Sequence, residues 1–224
     1  MFRIPLATAI AVLLLAPAVH AQGRDIDKVN GSITADAGQA YGDLETVNGS
    51  IRIETGARIG DAETVNGGIK GGDDVQADAL STVNGGIRLG TQAQVAGDVE
   101  TVNGDIFVDR GGRLGRDVSS VNGAIGLVDT DLAGGIETVS GDITVGAGSH
   151  VHGGIHIEKP NRGGFSLHFG KQRTPRIVIG PHAVVDGPLV FEREVVLYVH
   201  DSARIGAVSG AKALPFSGAT PPQE

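Results

Sequence analysis

The chain has 224 residues, no cysteine, 36 glycines, few aromatics and a formal net charge of −8. The missing thiols exclude disulfides, a lipid-modified cysteine anchor and thiolate metal sites, and the acidic balance argues against nucleic acid as the main partner. So much glycine with so few large side chains does not suit an ordinary globular core, whereas a narrow repetitive core needs little else.

Met1-Phe2-Arg3 is a short basic start, Leu6 to Leu15 is apolar, and the next stretch ends in Val19-His20-Ala21. A small residue at the last position and valine two before it suit a signal peptidase, so residues 1–21 are expected to be a signal peptide cleaved after Ala21. The apolar run is too short to span a bilayer stably. The expected destination is the periplasm, the cell surface or the medium.

Beyond this leader the sequence repeats. Val-Asn-Gly-x-Ile starts at Val29, Val47, Val65, Val83, Val102 and Val121, with Val139-Ser140-Gly141-Asp142-Ile143 as a further copy, at intervals of 18 or 19 residues. Apolar residues fall in columns at the same phase. Ile26, Leu44, Ala62, Leu80, Val99, Val118 and Ile136 make one, the repeat valines a second, and Ile33, Ile51, Ile69, Ile87, Ile106, Ile125 and Ile143 a third. Ile53, Leu89, Val108, Leu127 and Val145 make a partial fourth, and Ile59, Val95, Leu114 and Val151 a partial fifth. All five are expected to point inward.

Short alternating runs such as Ile51-Arg52-Ile53 predict strands with one buried face. One coil cannot bury its own apolar face, so coils must stack and pair strand on strand. The predicted fold is an all-β, single-stranded parallel β-helix over residues 22–210, with 18–19-residue coils, nine or ten in number. The Asn-Gly step predicts a corner at which glycine takes positive φ. Asn30, Asn48, Asn66, Asn84, Asn103 and Asn122 are expected to form a ladder of side-chain amides along that corner.

The pattern breaks after Ile157. Residues 158–176 fit no coil, and the columns resume at Ile177-Val178-Ile179 and run to Val208. Residues 211–224, with Pro215, Pro221 and Pro222, predict a disordered tail. From Lys159 to Arg176 the interruption gathers Lys159, Arg162, Lys171, Arg173 and Arg176 without a single acid, and Phe165, Leu167 and Phe169 alternate within it. Lys159, Arg162, Phe165, Phe169, Lys171, Arg173 and Arg176 are therefore the candidate binding loop for an anionic glycan, lipid headgroup or envelope protein. A hairpin packed on the flank, neutralising an acidic body, is the competing reading.

His150, His152 and His156 alternate with buried-type residues and should face outward, while His182 shares the Gly-x-His context of His150 and could approach it across the interruption. No carboxylate stands at a regular spacing to orient them, so they are expected to be solvated, and no metal, cofactor or catalytic site is assigned. Arg52, Lys70 and Arg88 form one outward column and Glu45, Glu63, Glu100 and Glu137 another. Stacked like charges need an offset, and pairing between the two columns is the expected one.

With these residues laid out, the chain resembles the bactofilin-type, polymer-forming β-solenoids, and also bacterial adhesin-type domains built of β-strand repeats with V-N-G or V-S-G motifs. The resemblance covers roughly Asp25 to Gly210 and rests on the repeat signature. It implies a right-handed coil, no bound nucleotide and assembly through the coil ends, although bactofilins are cytoplasmic and lack the leader seen here. The expected function is an exported, non-enzymatic structural or adhesion-type module that self-associates or binds an anionic envelope component. The alternatives are a secreted carbohydrate-active β-helix enzyme or a metal-binding surface module. An acyl-CoA-dependent hexapeptide acyltransferase does not suit an exported chain, and a lyase or glycosidase would need clustered catalytic carboxylates that the one long interruption does not carry.

Overall fold

A computed structural model describes residues 23–159, 173–218 and 220–222, and among them it contains strands and turns but no helix. The strands form three parallel sheets that wrap one continuous core. The first face is ten-stranded and runs from Arg24–Asn30 to Val208–Ser209, and the second, also ten-stranded, runs from Ile33–Ala35 to Ala213–Phe216. The third is a narrow seven-stranded ladder of two-residue strands, Gln76–Ala77 to Arg204–Ile205, extended at its start by bridges from Ala40 to Arg58 and from Arg58 to Gln76. Ten strands at about 4.8 Å spacing make a rod roughly 43 Å long. This is the parallel β-solenoid of about ten turns that the repeat predicts.

Register is strict because the period is. Leu44 pairs with Ala62, Ala62 with Leu80 and Leu80 with Val99, so like residues stack on like. The backbone links coil to coil, as where Ile33 N–H donates to Ser50 O at 3.0 Å and Ile51 N–H to Gly68 O at 3.0 Å. Four of the five expected apolar columns are inward. Ile51, Ile69, Ile87 and Ile106 are essentially inaccessible, as are Leu89, Val108 and Leu127.

The repeat valines are the exception. Val29, Val47 and Val65 are 68%, 42% and 41% exposed, and the threonine or serine before each later valine is buried instead. Strand alternation dictates this, since Leu44 inward puts Glu45 outward, Thr46 inward and Val47 outward. Burying a hydroxyl costs free energy unless it is bonded, and only Thr138 Oγ1 among these lacks a partner. Thr64 and Thr82 Oγ1 each donate to a corner-glycine carbonyl of the preceding coil, Gly49 O and Gly67 O, both at 2.8 Å. Thr46, Thr101 and Ser120 repeat the contact.

The amide ladder is present. Asn48, Asn66, Asn84, Asn103 and Asn122 Nδ2 each donate to Oδ1 of the preceding rung, Asn30 through Asn103, at 3.0–3.1 Å. The corner glycine, however, is not there for positive φ, which only Gly31 adopts (φ 107°). It is there because corners stack backbone on backbone, and a Cβ on Gly49, Gly67, Gly85, Gly104 or Gly123 would overlap the carbonyl of the glycine one coil earlier. The left-handed residue belongs to the next turn, filled successively by Gly38, Gly56, Asp74, Gln92, Gly111, Asp129, Gly148 and His182.

Aspartates form a further set of inter-coil links. Asp43 accepts from Asp61 N–H at 2.9 Å, Asp105 from Ala124 N–H at 2.7 Å and Asp117 from Gly135 N–H at 2.6 Å. Much of the acidic surplus is therefore structural.

The tail departs from expectation. Within residues 211–224, Ala213–Phe216 is the last strand of the second face, pairing Leu197 to His200, and Phe216 is buried edge-on to His200. Proline is compatible with this strand because it is an edge, where one side of the backbone needs no donor.

Candidate functional site

The two ends of the rod differ. At the N-terminal end the strands Arg24–Asn30 and Ile33–Ala35 have no neighbour beyond them among the described residues. Beside these strands, Lys28 Nζ donates to Ser32 O at 2.7 Å and Asp36 N–H donates to Tyr41 OH at 3.2 Å. At the C-terminal end Phe216 O accepts from Asp201 N–H at 3.0 Å, so that residue's backbone points back into the stack. Successive residues of a strand alternate sides, so Pro215 points out of the stack, where a further coil would need an N–H. Arg176 Nη2 donates to Pro222 O at 2.9 Å, which draws the tail back along the rod.

The cation-rich interruption enters at the Asn-Gly corner, between Ile155–Ile157 of the first face and Arg176–Ile179 of the second. Of its candidate binding residues, Arg162, Phe165, Phe169 and Lys171 lie outside the described residues. Lys159 donates its backbone N–H to Glu192 Oε2 at 3.4 Å, and Arg173 pairs with Asp142 at 3.2 Å. Arg176 is a strand residue paired with Val196, its guanidinium 4.9 Å from the Tyr198 ring.

The histidines are outward, as expected, but they do not lack carboxylates. His150 Nε2 lies 2.6 Å from Asp186 Oδ2, His152 Nε2 2.8 Å from Asp131 Oδ1, and His156 Nε2 3.2 Å from Glu192 Oε1. The imidazoles of His150 and His152 stack at 3.9 Å, and the bond from His150 holds the Asp186 carboxyl below the usual range. Sequence spacing conceals this. Asp131 precedes His150 by one coil, but Asp186 is separated from it by the interruption, and only the pairing of Val151 with Val185 places it alongside His152. His182 does not join them, because it occupies the left-handed turn while Val184 stands opposite His150.

The two charge columns do not offset each other. Glu45, Glu63, Glu100 and Glu137 lie on the first face, and Arg52, Lys70 and Arg88 on the second. Arg88 instead stacks 4.8 Å over Phe107. The glutamates alternate with the outward valines along a groove lined by Asp27, Val29, Glu45, Val47, Glu63 and Val65. Partial burial, followed by repulsion from neighbouring carboxylates, raises the carboxyls of Glu45, Glu63 and Glu100 above their ordinary 4.5. Glu137 is raised by burial too, against the opposing pull of His156.

A folded state that holds these protons more tightly than the unfolded one is favoured at low pH. The contribution is full below the ordinary glutamate value and is lost as pH rises through the raised values. A Glu45→Gln, Glu63→Gln, Glu100→Gln variant is therefore expected to gain melting temperature over the parent at pH 7 and to show a smaller gain at pH 4. An equal gain at both pH values, measured by thermal circular dichroism, would show that ionisation is not what strains the column.

No protein-family model, curated protein or solved structure matches the chain.

Proposed function

We propose that this chain is an exported, non-enzymatic structural or adhesion-type β-solenoid, of the bactofilin-like or adhesin-repeat kind, that pairs with a second copy through its N-terminal coil. The observation that carries the reading is the unequal ends. A seven-residue edge strand, Arg24–Asn30, carries exposed Val29 at one end, while Pro215 interrupts the donor row at the other. An open edge is a template for strand addition, and a proline within the edge strand removes a donor that such addition needs. With one end closed, head-to-tail growth stops and the closed product is a two-fold dimer. Cleavage after Ala21 would leave the pairing edge next to the new N-terminus, and export would deliver the assembling unit to the periplasm or cell surface.

The carbohydrate-active alternative would use the acid-lined groove. Glycoside hydrolysis needs one carboxyl kept protonated beside one that ionises. Glu45, Glu63 and Glu100 are shifted in the same direction for the same reason, so the column offers copies rather than a divergent pair.

Sedimentation velocity on the protein lacking residues 1–21 should give a dimer at micromolar concentration. Val29→Lys with Thr34→Lys, both exposed, should return it to a monomer with its strand content intact. Pro215→Ala should restore the missing donor and produce longer assemblies. A parent protein that stays monomeric, or a dimer indifferent to the two lysines, would overturn the reading.

A further inference from the structure

The third face carries a cluster that the assembly reading does not use. Asp131, His150 and His152 each offer one ligand atom, and these atoms all lie within 4.8 Å of one another. Asp186 adds a fourth group, its Oδ2 being 2.6 Å from His150 Nε2 and 3.7 Å from His152 Nδ1. We propose that Asp131, His150, His152 and Asp186 bind a single divalent transition-metal cation, with Zn²⁺ as the reference ion.

The argument begins with register. Three consecutive coils contribute, through the pairing of Asp131 with His150 and of Val151 with Val185. Backbone bonds lock the positions, with His152 N–H donating to Leu132 O at 2.9 Å and Asp186 N–H to Val151 O at 2.9 Å. The ligand side chains therefore rise from a rigid ladder, as a precise site requires. Around a tetrahedral ion with bonds of about 2.0–2.2 Å, donor atoms sit roughly 3.3 Å apart. The separations among Asp131, His150 and His152, from 2.8 Å to at most 4.8 Å, and the 2.6 Å between Asp186 Oδ2 and His150 Nε2 straddle that value, and rotation of half-exposed side chains can bring one nitrogen of each imidazole and both carboxylates onto one ion without moving the backbone.

Composition selects the ion. Two imidazoles and two carboxylates form the mixed nitrogen and oxygen set that suits zinc and its neighbours, whereas calcium and magnesium take oxygen alone. Two carboxylates with neutral imidazoles balance a 2+ charge. Arg113, which pairs with Asp131, and Arg204, which pairs with Val184, bound the anionic patch along its column. The carboxylate–imidazole bonds that hold the side chains in place are exchanged for metal bonds on loading.

The test is calorimetric titration of Zn²⁺ into the untagged, chelator-treated protein, with Co²⁺ as a visible-absorption probe of four-coordinate geometry. One equivalent should bind with a dissociation constant in the micromolar range or tighter. His152→Ala and Asp131→Asn should each weaken binding by at least about tenfold, the least expected when a ligand itself is lost. His182→Asn, in the neighbouring turn, should leave it unchanged. Should His152→Ala lose its strand signal in circular dichroism, Asp131→Asn, at an exposed position, decides alone. Absence of binding at millimolar Zn²⁺, or affinity unaltered in Asp131→Asn, overturns the site.

Discussion

Ile87→Asp is expected to lower the melting temperature by about 10–20 °C, the shift that a loss of about 5 kcal/mol produces in a domain of this size. Ile87 is 1% exposed and is paired on either side with Ile69 and Ile106, which are equally buried. A carboxylate there would meet aliphatic groups above, below and opposite, with no cation facing it from the core. The effective cost of an unpaired buried charge is several kcal/mol even after relaxation, a large part of the roughly 5–15 kcal/mol that holds a whole domain. In a solenoid each coil contacts only its neighbours, so the damage should centre on the middle and separate the stack into two weakly coupled parts. Hydrogen exchange should then show protection lost first around Leu80 to Val108. Lys70→Ser, on the outward face of the adjoining coil, should change stability by no more than about 0.5 kcal/mol. An Ile87→Asp protein that melts with its parent would remove the isoleucine column from the core.

Gly85→Ala is the second severe case, and it isolates a different force. Alanine would ordinarily help, by up to about 1 kcal/mol, through a less flexible unfolded chain. Here its Cβ would overlap the carbonyl of Gly67 in the coil below. Relief requires the corner to move, and the corner is shared. Gly85 O accepts from Thr101 Oγ1 at 2.9 Å, and the adjacent Asn84 is a rung bonded to Asn66 and Asn103 at 3.1 Å. Overpacking of this kind costs about 1–3 kcal/mol, with the lost links added. Gly56→Ala is the informative comparison. Gly56 has φ +70° but open space, its nearest neighbour being Gly38 Cα at 3.8 Å, so only the left-handed strain of about 1–2 kcal/mol applies. Urea denaturation should rank Gly85→Ala as the more damaging of the two. The opposite order would mean that backbone conformation, not close stacking, governs the corners.

The comparison between the glycines also separates what was legible in the sequence from what was not. The period alone determined the coil, the parallel pairing and the amide ladder. In an in-register stack every residue meets its own repeat equivalent, so a spacing of 18 or 19 residues is already a contact map, and Asn30 through Asn122 follow from it. Which member of the Thr-Val pair faces inward was present in the strand alternation but masked by hydrophobicity. Thr64 and Thr82 are buried because a stacked glycine carbonyl waits for each hydroxyl, and that acceptor exists only once the coils are assembled. The reason for the corner glycine was likewise invisible along one chain, because the obstructing carbonyl belongs to the coil below.

The strand at Ala213–Phe216 was hidden for a third reason. Proline argues against a strand interior but not against a free edge, and only the finished stack says which edge is free. The histidine–aspartate cluster lay furthest out of reach. Asp131 and His150 are one period apart, but the interruption between Ile157 and Arg176 resets the phase, so Asp186 joins them only through the pairing of Val151 with Val185. Local periodicity is enough to build this rod. The cluster across three coils and the closure of one end depend on where the chain resumes after its break, and tertiary register alone decides that.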